Sequence, residues 1–396
     1  MEINKFLTAG TDVIYLAACA LNDICPTPER ILQMDLTLVY KQSARHSMQA
    51  ITYMAINKYV SVYGSEGIDK NTLAIWKIAY NKILKRLILV DIEREKLIRF
   101  LEENGIWYML MKGAVLQNYY SKLGMRQMSD NDILISATGR EGIHNYMVRN
   151  GYKTVSYKTA DPDTYKNDFA YFEMHHSLFV NTKERRNFYE YYEDVKSWLI
   201  RAENTSCGYK FTDEDFYVYF IAHAYKHFDS SGNGLRSLMD TYVYNLKFKG
   251  RLRQDYVSDE LKKLGLLDFE SATRVLAFKI FSPESTVSDI RALLSDKEAE
   301  LLDLYITSGT FGTYELFIKK KLSGDFVGSS SKKNKKIKYF FRRMFPRLEY
   351  YKLYHPTAYR YKILIPGCWL LFIFNAIFFK RKKIFSEIKA LWKHTE

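Results

Sequence analysis

Two aspartates lie one residue apart at the start of an apolar run, in the segment 129-SDNDILIS-136. Side chains at positions i and i+2 of a strand point to the same face of a sheet, so Asp130 and Asp132 are expected to project together while Asn131 turns away. Two ionised carboxylates this close repel each other unless a cation lies between them. Hard oxygen ligands of this kind favour Mg²⁺ or Mn²⁺. The spacing therefore predicts a divalent metal site.

A third carboxylate is expected on a neighbouring strand, and Glu173 is the candidate. It lies in 171-YFEMHHS-177, a segment otherwise rich in apolar and aromatic residues, and His175 shares its face of the strand. Buried carboxylates are seldom left without a partner. Two simpler interpretations stay open: Glu173 would pair with a buried Arg or Lys, and Asp130 would cap a turn, for which Ser-Asp-Asn-Asp is well suited.

A phosphate site is expected just before the aspartates. Lys112 and Gly113 follow the apolar run 106-IWYMLM-111 at a predicted strand-to-helix junction, where glycine lets the backbone approach an anion and helix N–H groups face it. Arg126 offers a planar guanidinium for phosphate oxygens, whereas Lys112 would equally extend into solvent from a strand end. Metal and phosphate sites together predict binding of a metal-bound nucleoside triphosphate. Two metals would then activate a hydroxyl and stabilise the leaving pyrophosphate.

The elements that must position these residues follow from the periodicity of apolar residues. Helical spacing runs through residues 1–100, as in 72-TLAIWKIAYNKILKRLILVDIEREKLIRFLEE-103. Beyond Gly105, short apolar runs alternate with helical patterns, which predicts a small α/β unit. The predicted strands are 106–111, 132–136, 152–158 and 169–180, with helices at 113–120 and 139–150. Helices are expected again from about residue 186, most clearly at 212–228 and 235–248.

The stretch 98-IRFLEENGIWYMLMKGAVLQNYYSKLGMRQMSDNDILI-135 resembles the core of the nucleotidyltransferase superfamily, and more closely the bacterial uncharacterised nucleotidyltransferase family. That family carries a Lys-Gly step, an Arg before an Asp-x-Asp strand, a later acidic-x-His strand, and a downstream helix pair rich in His, Arg and Asp. The matching residues here, in order within about residues 75–245, are Lys112-Gly113, Arg126, Asp130-Asn131-Asp132, Glu173-Met174-His175, His223, His227, Arg236 and Asp240.

The resemblance implies a fold and an activity. The fold would be α+β and mostly helical, with a small mixed β-sheet nucleotidyltransferase core flanked by helical N- and C-terminal regions. The activity would be transfer of a nucleoside monophosphate group from an NTP, with Mg²⁺ or Mn²⁺, to a hydroxyl of a protein, a sugar or a small molecule. Family members are often linked to surface polysaccharide biosynthesis, and that link is expected here too.

The resemblance also implies roles for three groups of residues. Catalysis and metal binding would belong to Asp130, Asp132 and Glu173. Nucleotide binding would belong to Lys112, Gly113 and Arg126. Support of the cleft would come from His175, His223, His227, Arg236 and Asp240. As an alternative, His223 and His227, which share a helix face, would make structural hydrogen bonds to the neighbouring helix, with Arg236 or Asp240 as partners.

Two residues depart from the superfamily pattern. Ala114 stands where serine or glycine is usual, so a serine hydroxyl that would touch a phosphate is missing, and Asn131 stands where an apolar residue is usual. These departures leave open a second function: a catalytically weak or inactive nucleotidyltransferase-fold binding module associated with the membrane surface.

The net charge of +14 is concentrated at the C-terminus. Residues 332–396 carry 17 Lys and Arg against three Glu, while the rest of the chain has 42 basic and 42 acidic residues. Within this segment, 363-ILIPGCWLLFIFNAIFF-379 is an apolar run of 17 residues with basic flanks, too short for a comfortable membrane span. We therefore expect a buried or in-plane helix and contact with an anionic membrane surface, with nucleic acid as the less favoured partner.

The chain is expected to divide into five parts, and the protein to lie in the cytoplasm, peripherally at the inner face of the membrane. The four cysteines show no metal-ligand spacing and are expected to be reduced. The run 16-LAAC-19 is interpreted as part of an amphipathic helix, not as a signal sequence. The predicted parts are a helical region 1–100, an α/β core 101–185, a helical domain 186–322, a polar linker 323–338 and a basic, apolar tail 339–396.

Overall fold

The computed structural model describes residues 2–128, 130–158, 161–310, 312, 344–346, 348, 351 and 355–378. The predicted linker 323–338 lies outside the described residues, as does much of the predicted tail 339–396. Within the described part, the chain forms one mixed sheet enclosed by helices, so the prediction of a mostly helical α+β fold is confirmed.

The N-terminal region is helical, as its periodicity predicted. Its helices are α1 (Glu2–Leu21), α2 (Pro28–Gln33), α3 (Leu36–Arg45), α4 (Gln49–Tyr63) and α5 (Lys70–Glu103). Helix α1 differs from the expected amphipathic helix because residues 9–20 are buried all round. It packs against α3 and α4 and forms the centre of the N-terminal core, with Leu16 and Cys19 fully buried.

The sheet has seven strands in the order β3-β4-β5-β2-β1-β7-β6. These strands are β1 (Tyr108–Leu110), β2 (Asn131–Ile135), β3 (Lys153–Ser156), β4 (Asp163–Lys166), β5 (Tyr171–His175), β6 (Ile200–Arg201) and β7 (Gly208–Lys210). In sequence, α6 (Lys112–Leu116) lies between β1 and β2, and α7 (Arg140–Arg149) lies between β2 and β3. Strand β2 pairs in parallel with β5 and antiparallel with β1, which makes the sheet mixed as predicted.

The register between β2 and β5 decides which side chains meet. Asp132 lies opposite Glu173, and Leu134 lies opposite His175. Residues paired across two strands project to the same face, as do residues two apart along one strand. Asp132, Glu173 and His175 therefore share one face of the sheet, and Asn131 faces the other side.

The C-terminal helices are α8 (Arg186–Tyr191), α9 (Asp213–Ser230), α10 (Leu235–Lys247), α11 (Gln254–Lys263), α12 (Leu267–Phe281), α13 (Asp296–Ser308), α14 (Pro356–Arg360) and α15 (Ile365–Phe378). Of these helices, α9 packs on the sheet face that carries Asp132. Helix α9 is capped by Thr212, whose hydroxyl accepts the Asp215 N–H at 3.2 Å. Phe216 and Tyr219 of α9 then share a buried apolar cluster with Met109 and Leu134 of the sheet.

The sheet extends beyond the predicted α/β core 101–185. Strand β7 adds to the open edge of β1, with Tyr108 opposite Gly208, and β6 pairs with β7. Strands of two or three residues are too short to show an alternating pattern, which is why only helices were predicted there. Among the described residues, no helix combines the length and the apolar content that crossing a membrane requires.

Candidate active site

Three side chains from two adjacent strands converge on the α9 face of the sheet. His175 Nε2 lies 3.1 Å from Asp132 Oδ1 and 3.6 Å from Glu173 Oε2. One ligand atom from each of the three residues lies within 4.8 Å of the other two. We call Asp132, Glu173 and His175 the acidic–histidine group. Its donor set of two carboxylates and one imidazole is chemically suited to a divalent cation, so the residues fit the metal that the sequence predicted.

The charges of this group are compensated within the protein. Burial raises the pKa of Asp132, but the positive charge of Lys112 and the hydrogen bond from His175 outweigh burial and hold that pKa below its usual range. Burial lowers the pKa of His175, but the hydrogen bonds and charges of its acidic neighbours outweigh it and raise the pKa to about 9. Without a metal, Lys112 and protonated His175 balance the buried carboxylate; a bound metal cation would take over this role and displace the imidazole proton to solvent.

Lys112 connects the acidic–histidine group to helix α9. Its Nζ lies 3.7 Å from Asp132 Oδ2 and donates a hydrogen bond to His223 Nε2 at 2.7 Å. Burial, and after it the charge of Lys112, lowers the pKa of His223 well below its usual value, so His223 is a neutral acceptor. The hydrogen-bond partner of His223 is thus Lys112 of α6, where Arg236 or Asp240 had been expected.

A buried ion pair holds the loop between α6 and β2. Arg126 donates two hydrogen bonds to the Asp240 carboxylate, at 2.7 and 3.0 Å, and a third to the Gly113 carbonyl at 3.1 Å. The Tyr120 hydroxyl also donates to Asp240, at 2.7 Å, and Arg236 donates to the Gln127 carbonyl at 2.8 Å. With its guanidinium buried and engaged, Arg126 positions the Lys112-Gly113 step. The predicted contact of Arg126 with phosphate stays a prediction, and it requires this pair to open.

Gly113 lies close to the side chains of this loop. A Cβ added there would lie 3.3 Å from Met128 Sδ and 3.8 Å from Arg126 Nη1. The absent side chain therefore leaves room for the buried loop residues. The helix that contains Gly113, α6, has only five residues and continues as a short 3-10 helix over Gln117–Tyr119. A role of Gly113 in nucleotide binding stays a prediction.

The remaining predicted site residues, Asp130 and His227, also lie outside the acidic–histidine group. Strand pairing begins at Asn131, so the alternation expected from Asp130 to Asp132 does not extend back to Asp130. The charge of Asp130 instead acts, after that of Asp240, on the buried guanidinium of Arg126. His227 is exposed on α9, with its ring centroid 4.6 Å from that of His223. A metal-binding role for Asp130 stays a prediction.

Sequence analysis missed two parts of the site. Lys226 lies three residues after His223 on α9, and burial together with the charges of Lys112 and Arg185 lowers its pKa to about 8. The i,i+3 spacing from His223 was the signal that could have identified it. On the opposite face of β2, Arg94 of α5 donates to Asn131 Oδ1 at 3.0 Å, which explains a polar residue at that position. No local pattern connects Arg94 with Asn131.

Comparison with known proteins gives one match. A family described as "Uncharacterised nucleotidyltransferase" matches residues 33–282, which include every residue of the site described above. No curated protein and no solved structure matches the chain. Because the matched segment covers more than half of the 396 residues, the chain belongs to the uncharacterised nucleotidyltransferase family.

Proposed function

We propose that the protein transfers a nucleoside monophosphate group from an NTP to an acceptor hydroxyl, with Mg²⁺ or Mn²⁺ as cofactor. The observation that carries this proposal is the convergence of Asp132, Glu173 and His175 beside Lys112. Family membership supports nucleotidyl transfer as the class of reaction. The group supplies anionic ligands for a cation, and the neighbouring lysines supply positive charge for the triphosphate.

Each residue of the site has a role in the proposed reaction. Asp132 and Glu173 would hold the ion, which when bound would polarise the triphosphate and acidify the acceptor hydroxyl. Lys112, oriented by His223, and Lys226 would bind the phosphates through their ammonium groups. Glu173 has the most exposed side chain of the acidic–histidine group, at 27%, and is placed to accept the proton of the acceptor hydroxyl at its carboxylate.

A thermal-shift experiment tests nucleotide binding. ATP, GTP, CTP and UTP are added to the purified protein with and without Mg²⁺ or Mn²⁺. We expect at least one nucleotide to raise the melting temperature only with metal, and the double variant Asp130→Asn plus Asp132→Asn to lose this increase. If no nucleotide raised the melting temperature, the non-catalytic module would be favoured over the enzyme.

A labelling experiment tests transfer and identifies the acceptor class. NTPs labelled at the α-phosphate are incubated with the protein and a cell lysate, and the label is followed into protein, saccharide and small-molecule fractions. Transfer to saccharide would support the proposed link to surface polysaccharide synthesis. The Asp132→Asn variant is the control, and equal labelling with this variant would show that another enzyme in the lysate transfers the nucleotide.

We also propose that the C-terminal region binds an anionic membrane surface on the cytoplasmic side. Helix α15 exposes Leu370, Leu371, Phe374 and Phe378, each more than half accessible to solvent. Lys362 precedes this helix and the basic run 380–383 follows it in sequence. Apolar side chains flanked by cations suit the interface of an anionic bilayer, and a helix of 14 residues suits an in-plane position.

Vesicle co-sedimentation tests this proposal on the full chain. We expect the protein to sediment with anionic vesicles and to stay in the supernatant with zwitterionic vesicles. The double variant Leu370→Ser plus Leu371→Ser should no longer sediment with anionic vesicles. Ile75→Ser plus Ile78→Ser removes two exposed apolar residues of α5 and should leave binding intact. If equal amounts of the natural protein stayed in the supernatant with both types of vesicle, an anionic membrane surface would be excluded as a partner.

A further inference from the structure

We infer that His175 is itself a metal ligand and that its imidazole makes the site prefer Mn²⁺ to Mg²⁺. This inference deepens the proposed function and rests on a divalent ion being held by the acidic–histidine group. It selects between the two ions that the carboxylates alone would accept, and it adds a nitrogen ligand to the predicted carboxylates.

The spacing of the donor atoms supports His175 as a ligand. Its Nε2 lies 3.1 Å from Asp132 Oδ1 and 3.6 Å from Glu173 Oε2. Two adjacent ligands of one ion, each roughly 2.1–2.2 Å from it and at right angles, lie about 3 Å apart. The atoms of the group are thus already close to the separation that a shared ion demands.

The position of His175 also separates a ligand from an ordinary ion-pair partner. A histidine that merely neutralises one carboxylate needs one oxygen, whereas the Nε2 of His175 faces oxygens from carboxylates on two strands. The parallel register fixes this arrangement, because it sets Asp132 opposite Glu173 and places His175 two residues further along the same face. Asp130 precedes the paired segment and has no place in the register.

The chemistry of the imidazole sets the metal preference. Mg²⁺ is a small, hard cation that favours oxygen ligands and releases its waters reluctantly. Imidazole nitrogen suits first-row transition ions, and Mn²⁺ accepts carboxylate oxygen as readily as Mg²⁺ does. A site with two carboxylates and one imidazole therefore gains affinity for Mn²⁺ relative to one built from carboxylates alone. We expect the ratio of Mn²⁺ to Mg²⁺ affinity to fall by about tenfold or more when the imidazole is replaced by a carboxylate.

Pulsed electron paramagnetic resonance of the Mn²⁺-loaded protein tests the inference without using activity. A directly bound histidine nitrogen gives a nitrogen coupling in the Mn²⁺ signal. We expect this coupling in the natural protein, a change of its frequencies when histidine is labelled with ¹⁵N, and its loss in His175→Asp. Titration of Mn²⁺ with Mg²⁺ as competitor gives the affinity ratio for the same proteins.

Two further variants keep the test decisive. His175→Gln provides a second replacement should His175→Asp fold poorly, and it should likewise lose the coupling. His176→Gln alters the adjacent histidine, whose Nε2 lies 3.2 Å from Asp163 outside the group, and it should retain both the coupling and the affinity ratio. The ¹⁵N-labelled natural protein needs no substitution at all.

The outcomes distinguish this inference from the proposed function. Bound Mn²⁺ without nitrogen coupling, or a coupling retained in His175→Asp, would overturn the ligand role of His175 while leaving nucleotidyl transfer in place. An unchanged affinity ratio in His175→Asp would overturn the selectivity. A coupling that is lost in the variants, in a protein that transfers no label from any NTP, would support the metal site and contradict the proposed activity.

Discussion

At the scale of single residues, the site depends on which carboxylates enter the paired strands. Asp132 lies within β2 and is buried, whereas Asp130 precedes the strand and is only partly buried. The two aspartates look equivalent in sequence, since both flank Asn131. Their different positions relative to the strand give them different neighbours: Lys112 and His175 for Asp132, and the Arg126 region for Asp130.

Single substitutions should therefore separate the two aspartates. Asp132→Asn removes an oxygen ligand from the acidic–histidine group and should raise the dissociation constant for Mn²⁺ by about tenfold or more. Asp130→Asn should change this constant much less, because the group remains intact. Isothermal titration of each variant with Mn²⁺ gives both values. Equal losses in the two variants would support the aspartate pair predicted from sequence instead.

The buried pair of Arg126 and Asp240 should be important for stability. Both side chains are 5% exposed, and Asp240→Asn would leave the guanidinium without its carboxylate. Removing one partner of a buried pair typically costs about 3–5 kcal/mol, which we expect as the decrease in the free energy of unfolding measured in urea. Glu190→Gln, which breaks an exposed pair with Arg186, is the control and should cause no measurable change. A similar small effect of both variants would contradict this account.

At the scale of elements, single side chains join helices that are distant in sequence. His46 follows α3, accepts the Leu235 N–H of α10 at its Nδ1 at 3.2 Å, and donates from Nε2 to the Ile306 carbonyl of α13 at 3.1 Å. Both ring nitrogens are thus used by the neutral imidazole. Burial, and after it the charge of Arg45, lowers the pKa of His46 to about 3.

His46 should make the stability of the protein depend on pH. Its pKa in the folded protein lies below the usual histidine value of 6.5, so the unfolded chain binds more protons at intermediate pH and the free energy of unfolding falls as the pH is lowered from about 6.5 towards 3. One such group changes the free energy of unfolding by at most about 1.4 kcal/mol for each pH unit. Urea unfolding between pH 7 and pH 5 should show a smaller slope for His46→Gln than for the natural protein. His144→Gln, on α7 beside Tyr157 and Tyr165, is the control and should retain the natural slope.

At the scale of the whole molecule, the segment that matches the family is shorter than the part of the chain that forms the shared hydrophobic core. The match starts at residue 33, yet α1 precedes it and supplies the centre of a core that also contains residues of α10, α12 and α13. The helices that carry the site, α9 and α10, pack on this core and on the sheet. A residue outside the family match should therefore affect the stability of the part that carries the acidic–histidine group.

Leu16→Ala tests this dependence. The side chain is fully buried in α1, and truncation should lower the free energy of unfolding by about 2–5 kcal/mol because a cavity remains. Leu32→Ala truncates a leucine that is 59% exposed and should change the free energy by less than about 0.5 kcal/mol. Denaturant unfolding followed by far-ultraviolet circular dichroism measures both. If both variants changed the free energy of unfolding by the same small amount, α1 would be dispensable for the stability of the folded protein.

The local parts of the fold were predictable from sequence because neighbours along the chain determine them. Helical spacing identified the long N-terminal helices, Gly105 with its positive φ of 64° ended α5, and Thr212 capped α9. Short strands such as β4, β6 and β7 escaped prediction. Their formation depends on hydrogen bonds to partners elsewhere in the chain, which no window of sequence contains.

By itself, the sequence determined the chemical types at the site: carboxylates, a Lys-Gly step and histidines at helical spacing. Only the tertiary structure decided which of them meet. The parallel register of β2 and β5 brought His175 to Asp132, 43 residues away, and left Asp130 outside. The packing of α9 brought His223 to Lys112, 111 residues away. The reason is physical: residue type fixes what a side chain can bind, but strand pairing and helix packing, driven by burial of distant apolar faces, fix what it contacts.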